Sequence, residues 1–204
     1  MLLTARTNLR PTFNARVAFV QADLPRLPLR AWADLVFSTA TFHWIRDHDA
    51  LFAEIYSALR PGGRLFAQCG GGPNLAAAHA LAEEVMRREP FAPYYAGWAG
   101  VWEFATADTT AERLQRAGFI DIHTSLEAAP TTLDDEASYR EFVTTVIYNR
   151  HLSMLPDESL RTRFIDEVTS RAARQEPPFT LDYWRLNLDA RRANSVIGGR
   201  ISGR

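Results

Sequence analysis

Hydrophobic positions along the first third of the chain predict strands that alternate with helices. Residues 17–22 and 34–39 are short, nearly continuous apolar runs, which is typical of parallel strands covered on both faces. Residues 48–59 carry apolar side chains at helical spacing, and residues 64–69 form the next apolar run. This alternation predicts an α/β fold built on a parallel sheet.

The rest of the pattern predicts a final pair of strands with helices between them. The two predicted strands are residues 120–127 and 179–190, and the helices lie within residues 136–175. The length and composition allow one domain with a sizeable core. Residues 193–204 contain glycines and little apolar surface, so we expect a flexible tail there.

Composition excludes several kinds of chemistry. All 23 basic residues are arginine, so a Schiff-base lysine and a Walker A lysine are excluded. Cys69 is the single cysteine, and the five histidines follow no ligand spacing, so we predict no metal site. The net charge of -1 and the lack of a basic block predict neither nucleic acid nor a membrane as a partner. A cytoplasmic location is our expectation, because no apolar run approaches a membrane span.

The segment after the second predicted strand is the first place to look for a site. Ligands of parallel α/β sheets bind outside the carboxyl ends of the strands, and residues 38–44 follow such an end. Trp44 offers a flat face to a ring or to a sulfonium cation, and His43 could bind an anion or move a proton. The alternatives are that Trp44 packs beneath the next helix and that His43 makes a structural hydrogen bond.

Two further features allow two interpretations each. Asp23 follows the first predicted strand, where a carboxylate could accept a hydrogen bond from an exocyclic amine such as that of adenine. Its alternative role is to cap the loop before Pro25. Residues 89–104 contain six large aromatic side chains, which could form a lid over a pocket or a small satellite core.

Several short motifs occur together and in order. Residues 21–23 read Gln-Ala-Asp, residues 34–44 end in Phe-His-Trp, and residues 59–65 read Leu-Arg-Pro-Gly-Gly-Arg-Leu. In this combination the chain resembles the middle of a class I S-adenosylmethionine-dependent methyltransferase, in the trans-aconitate methyltransferase-like group. The resemblance implies a Rossmann-like sheet with one antiparallel strand and a helical cap, over residues 136–175, inserted between the last two strands.

The resemblance also implies an activity and roles for particular residues. The cofactor would be S-adenosylmethionine, and the substrate a small carboxylic acid that is methylated on oxygen. The resemblance implies that the cofactor is contacted by Asp23, Leu24, Ser38 and Thr39. It implies that the catalytic residues at the methyl-transfer end are His43 and Trp44. The resemblance does not indicate the oligomeric state.

The family's opening segment has no counterpart in this sequence. In the family, two strands and a Gly-x-Gly-x-Gly loop precede the part that residues 1–9 resemble. The resemblance therefore implies a partial domain over residues 1–192, and we expect an incomplete sheet with an exposed edge. The alternatives to an active methyltransferase are a truncated, non-catalytic remnant that binds a partner through this edge, or another nucleotide-binding α/β enzyme such as a dehydrogenase.

Overall fold

The computed structural model describes residues 2–194, which form a mixed β-sheet flanked by helices. The strands are β1 (Ala33–Thr39), β2 (Leu59–Gly70), β3 (Phe119–Ala128), β4 (Thr131–Thr132), β5 (Thr180–Leu181) and β6 (Trp184–Arg192). The helices are α1 (Leu2–Phe13), α2 (His48–Ala58), α3 (Ala76–Met86), α4 (Ala92–Tyr95), α5 (Ala107–Arg116), α6 (Glu136–Phe142), α7 (Asn149–Leu152) and α8 (Glu158–Ala172). Within this part of the chain, every helix is too short or too polar to cross a membrane.

The main sheet confirms the predicted α/β class. Its strand order is β1-β2-β6-β3, with β1 parallel to β2 and β6 antiparallel to both of its neighbours. Among the described residues of this sheet, β1, β2 and β3 therefore run in one direction and β6 runs in the opposite direction. The helices α6 to α8 lie in the chain between β3 and β6, as the resemblance implied.

The prediction of a strand at residues 17–22 is wrong. These residues belong to no strand, and Val20 is 57% exposed. A strand needs a neighbour to satisfy its backbone groups, and β1 is the edge of the sheet among the described residues. The predicted tail is described only at Ala193 and Asn194, which are irregular, and the rest of it lies outside the described residues.

The predicted strand at residues 179–190 is interrupted. β5 ends at Leu181 and pairs with β4, whereas β6 begins at Trp184 and enters the main sheet. Asp182, between them, accepts hydrogen bonds from the backbone N–H groups of Ala77 at 2.9 Å and Ala78 at 3.4 Å. The break therefore supplies the side-chain cap of α3, which its own preceding residue does not provide.

Other helices begin at caps that the local sequence encodes. Asp47 accepts from the N–H of Ala50 at 2.9 Å at the start of α2. Equivalent local caps begin α5, α6 and α8, at Thr106, Asp135 and Asp157. Each side chain satisfies an N–H group that has no partner inside its helix.

Buried side chains form two hydrophobic clusters. The sheet cluster lies between one sheet face and the helices α2 and α5, and its fully buried members include Leu51, Leu65 and Leu114. The helical cluster joins α3 to α6, α7 and α8 around Tyr148 and Phe164.

The opposite face of the sheet is largely uncovered. Leu35, Phe37 and Phe66 are 55%, 64% and 46% exposed on β1 and β2. The rings of Phe37 and Phe66 stack with centroids 6.2 Å apart. An apolar sheet face of this kind is typical of a surface that packs against another element or another chain.

Candidate functional site

The carboxyl ends of β1 and β2 meet at a short turn that carries the predicted catalytic pair. The N–H of Ala40 donates to the carbonyl of Gln68 at 2.8 Å, which holds the two strand ends together. Ala40 has a φ of 52°, so the backbone turns sharply out of the sheet. Residues Phe42–Trp44 then form a 3-10 turn directly after the predicted cofactor residues Ser38 and Thr39.

His43 is held by backbone contacts from two other segments. Its Nδ1 accepts a hydrogen bond from the N–H of Gly70 at 3.0 Å, and its carbonyl accepts from the N–H of Glu103 at 2.9 Å. Burial, aided by the positive charge of Arg185, lowers the pKa of His43 to about 4. The ring is therefore neutral near pH 7 and carries its proton on Nε2. His43 thus makes the structural hydrogen bond that was its alternative role, and its role in methyl transfer stays a prediction.

Trp44 joins the turn to the aromatic segment. Its ring centroid lies 5.6 Å from that of Trp102, and the side chain is 40% exposed. His43 makes a similar contact with Phe104, at 5.9 Å. The turn and the aromatic segment therefore form one continuous wall of rings.

A polar network beneath the turn was missed by sequence reasoning. His48 is 2% exposed, and its Nε2 donates to the carbonyl of Phe42 at 3.1 Å. The guanidinium of Arg113 donates to Nδ1 of His48 at 3.1 Å and pairs with Glu103 at 2.9 Å. Burial lowers the pKa of His48, which suits this neutral tautomer. Residues so distant in sequence carry no local signal of this contact.

The predicted adenine contacts lie in a separate turn. Asp23 is exposed, and its carboxylate makes no hydrogen bond or ion pair within the described residues. The capping bond that was its alternative role is not formed. Leu24 begins the 3-10 turn Leu24–Arg26 and packs against the sheet cluster. No hydrogen bond in the described structure links this turn to His43.

The aromatic segment, residues 89–104, serves two purposes. Phe91 and Tyr95 are buried in the helical cluster, as the satellite-core interpretation expected. Trp98, Trp102 and Phe104, together with Tyr95, line a cavity of about 680 Å³. This volume is in the range of small-molecule sites.

Two histidines complete the cavity wall. His79 stacks on Trp102 with centroids 4.9 Å apart, and His151 lies 4.5 Å from Trp98. Burial lowers the pKa of both rings, that of His151 to about 3. Sequence reasoning did not connect them, because they lie on α3 and α7 and share no motif.

Comparison with known proteins supports the resemblance. Residues 1–67 match the family described as "Methyltransferase domain". The trans-aconitate 2-methyltransferase of Rhizobium meliloti (strain 1021) is 35% identical over 97 residues, which cover 48% of this chain and 35% of that protein. The malonyl-[acyl-carrier protein] O-methyltransferase of Calditerrivibrio nitroreducens is 33% identical over 64 residues, 31% of this chain and 26% of that protein. The matches thus span about a third of these relatives.

Solved structures show the same fold. The YcgJ protein from Bacillus subtilis superposes with a TM-score of 0.60 at 14% identity, covering 95% of this chain and 79% of that protein. The phosphoethanolamine N-methyltransferase 2 of Haemonchus contortus gives a TM-score of 0.51 at 21% identity, covering 95% and 41%. The chain is therefore similar in sequence to the methyltransferase domain family over residues 1–67, and its fold is similar to that of these solved structures. Over about half of its own length it is also similar to a trans-aconitate 2-methyltransferase.

Proposed function

We propose that this chain acts in the S-adenosylmethionine-dependent O-methylation of a small carboxylic acid. The observation that carries the proposal is that the turn at the ends of β1 and β2 shares its wall with an aromatic cavity. The names of the relatives, which include a trans-aconitate 2-methyltransferase, support a carboxylate as the acceptor. In this proposal residues 89–104 act as the lid and residues 136–175 as the cap, because His151 reaches the cavity.

The residues at hand fit the adenine end of the cofactor. Asp23 has an exposed carboxylate that is free to accept a hydrogen bond from the adenine amine, and Leu24 gives an apolar surface beside it. Ser38 is half-buried and Thr39 exposed at the end of β1, where they would line the pocket. When bound, S-adenosylmethionine supplies a methyl group activated by a sulfonium charge. The half-exposed Trp44 offers a ring face to that charge.

A carboxylate acceptor suits the state of His43. A carboxylate is already deprotonated near pH 7, so its attack on a methyl group requires positioning and exclusion of water rather than a general base. His43 is neutral with Nδ1 occupied, which leaves Nε2–H as a donor. Arg185 brings positive charge close enough to lower the pKa of His43 and forms no ion pair in the described structure. We propose that Arg185 attracts the acceptor carboxylate.

Isothermal titration calorimetry with S-adenosylhomocysteine tests the cofactor assignment. We expect saturable binding, weakened about tenfold by Asp23→Asn, because a charged acceptor contributes more than about 1.4 kcal/mol to such a hydrogen bond. Asp34→Asn is the matched control, since Asp34 is an exposed partner of Arg60 on β1. If no binding heat is measured at millimolar ligand, the proposal that this chain binds the cofactor is wrong.

A second candidate function is binding of a partner through the sheet. It is favoured by the exposed side chains of Leu35, Phe37 and Phe66 on the uncovered face. Sedimentation velocity over a range of concentrations tests it for self-association. Association that Phe37→Ser abolishes supports this function, and a monomer at all concentrations argues against self-association through this face.

A further inference from the structure

The aromatic cavity contains buried polar atoms that have no partner. His151 is 3% exposed, and its Nδ1 makes no hydrogen bond within the described residues. His79 is half-buried, but its Nε2 atom is buried and also makes no hydrogen bond within the described residues. The two ring centroids are 6.4 Å apart. An unpaired buried nitrogen is costly, and both histidines line the cavity, so a rotation of either ring toward a polar ligand group there would give its nitrogen a partner.

The cavity has little charge to offer a ligand. Both imidazoles are neutral near pH 7, because burial lowers the pKa of His79 and of His151. Glu83 and Arg87 also line the cavity, but they pair with each other at 2.6 Å. Arg185 is not among the residues that line the cavity, so a ligand that placed several carboxylates inside it would lose their hydration without gaining a free cation there.

The wall has flat faces that suit a planar ligand. The ring of His79 is nearly parallel to those of Trp102 and Phe104, with interplanar angles of 21° and 19°. Trp102 and Phe104 are themselves within 10° of parallel. Aromatic rings bind best in offset stacked or edge-on arrangements, which such a wall can provide.

We infer that the cavity binds an aromatic or conjugated monocarboxylic acid whose hydroxyl or carbonyl group is hydrogen-bonded by His79 and His151. This inference rests on the proposed function, because it names the class of the methyl acceptor. The acceptor inferred for this chain differs from trans-aconitate, the tricarboxylate that appears in the name of a relative. The neutral imidazoles can each donate or accept one hydrogen bond, so they match a neutral polar group.

Calorimetry without cofactor tests the inference, with 4-hydroxybenzoate, benzoate and trans-aconitate as probes. We expect 4-hydroxybenzoate to bind at least about tenfold more tightly than trans-aconitate, because its single charge can remain outside the neutral wall. We expect it to bind about fivefold more tightly than benzoate, as one neutral hydrogen bond would give. Equal or tighter binding of trans-aconitate would overturn the inference.

Variants assign the preference to the two histidines. His151→Phe and His79→Phe should each reduce the preference for the hydroxyl, whereas His79→Gln should retain part of it through its amide. His123→Phe, which replaces an exposed histidine on β3, is the matched control and should keep the full preference. A hydroxyl preference that survives both phenylalanine variants would overturn the assignment. These titrations contain no cofactor, so they can be interpreted even if the chain fails to bind S-adenosylhomocysteine in the separate test of the proposed function.

Discussion

Acid should destabilise the fold through His151. The pKa of this imidazole is lowered from 6.5 to about 3 by burial, to which His79 adds a smaller effect. The unfolded chain therefore binds a proton at a higher pH than the folded protein does. The contribution of His151 to stability is present above about pH 6.5 and is lost progressively as the pH falls towards the folded pKa.

The size of the effect follows from the pKa difference. Each pH unit between the two pKa values costs about 1.4 kcal/mol of unfolding free energy per group. At about pH 5 the solution is about 1.5 units below the ordinary histidine pKa and still above the folded one, so His151 should cost about 2 kcal/mol relative to pH 7. Half-buried His79 and His43 and buried His48, whose pKa values are also lowered by burial, add effects of the same sign.

Urea unfolding at about pH 7 and about pH 5, followed by circular dichroism, isolates this contribution. We expect His151→Phe to reduce the pH-dependent loss of stability by about 2 kcal/mol compared with the unmodified chain. His123→Phe should keep the full loss, because that ring is exposed on β3. If His151→Phe leaves the pH dependence unchanged, the imidazole is not a buried neutral group and the description of the cavity wall is wrong.

Three further changes test the packing around the site by the same unfolding measurement. Asp182→Ala should cost about 1 kcal/mol by removing the cap of α3, and Asp182→Asn should cost less. Leu65→Ala, at 0% exposure, should cost about 2–5 kcal/mol, whereas Phe66→Ala on the uncovered face should cost clearly less. Tyr148→Phe should cost about 1 kcal/mol, because its buried hydroxyl donates to the carbonyl of Ala78. Equal costs at Leu65 and Phe66 would contradict the assigned sheet faces.

The sequence predicts the sheet well where the pattern is local. β1 and the second half of β2, residues 64–69, are short apolar runs beside a helix of clear periodicity, and their pairing follows from the rules of parallel sheets. The first half of β2, from Leu59, was not predicted as strand. Residues 17–22 show the limit of this reasoning. An apolar run indicates that a segment can form a strand, but it cannot show that a neighbouring strand is available to pair with it.

The sequence predicts where the candidate site lies better than it predicts the contacts that give the site its chemistry. The carboxyl-end rule brought Ser38, Thr39 and the Phe42–Trp44 turn together, and the structure places them at one sheet edge. The contacts that give the site its chemistry depend on distant residues. Arg113 reaches His48, and His151 reaches the cavity wall near His79, without any pattern that links these positions in the sequence.

Photo-crosslinking with S-adenosylmethionine labelled on the methyl group tests the central claim most directly. Trypsin cleaves after arginine, so residues 17–26 carry Asp23 and Leu24, and residues 31–46 carry the Phe42–Trp44 turn. We predict that ultraviolet irradiation labels these two peptides and that excess S-adenosylhomocysteine prevents the labelling. Label confined to other peptides, or label that S-adenosylhomocysteine does not displace, would contradict a methyl-transfer site at the carboxyl ends of β1 and β2.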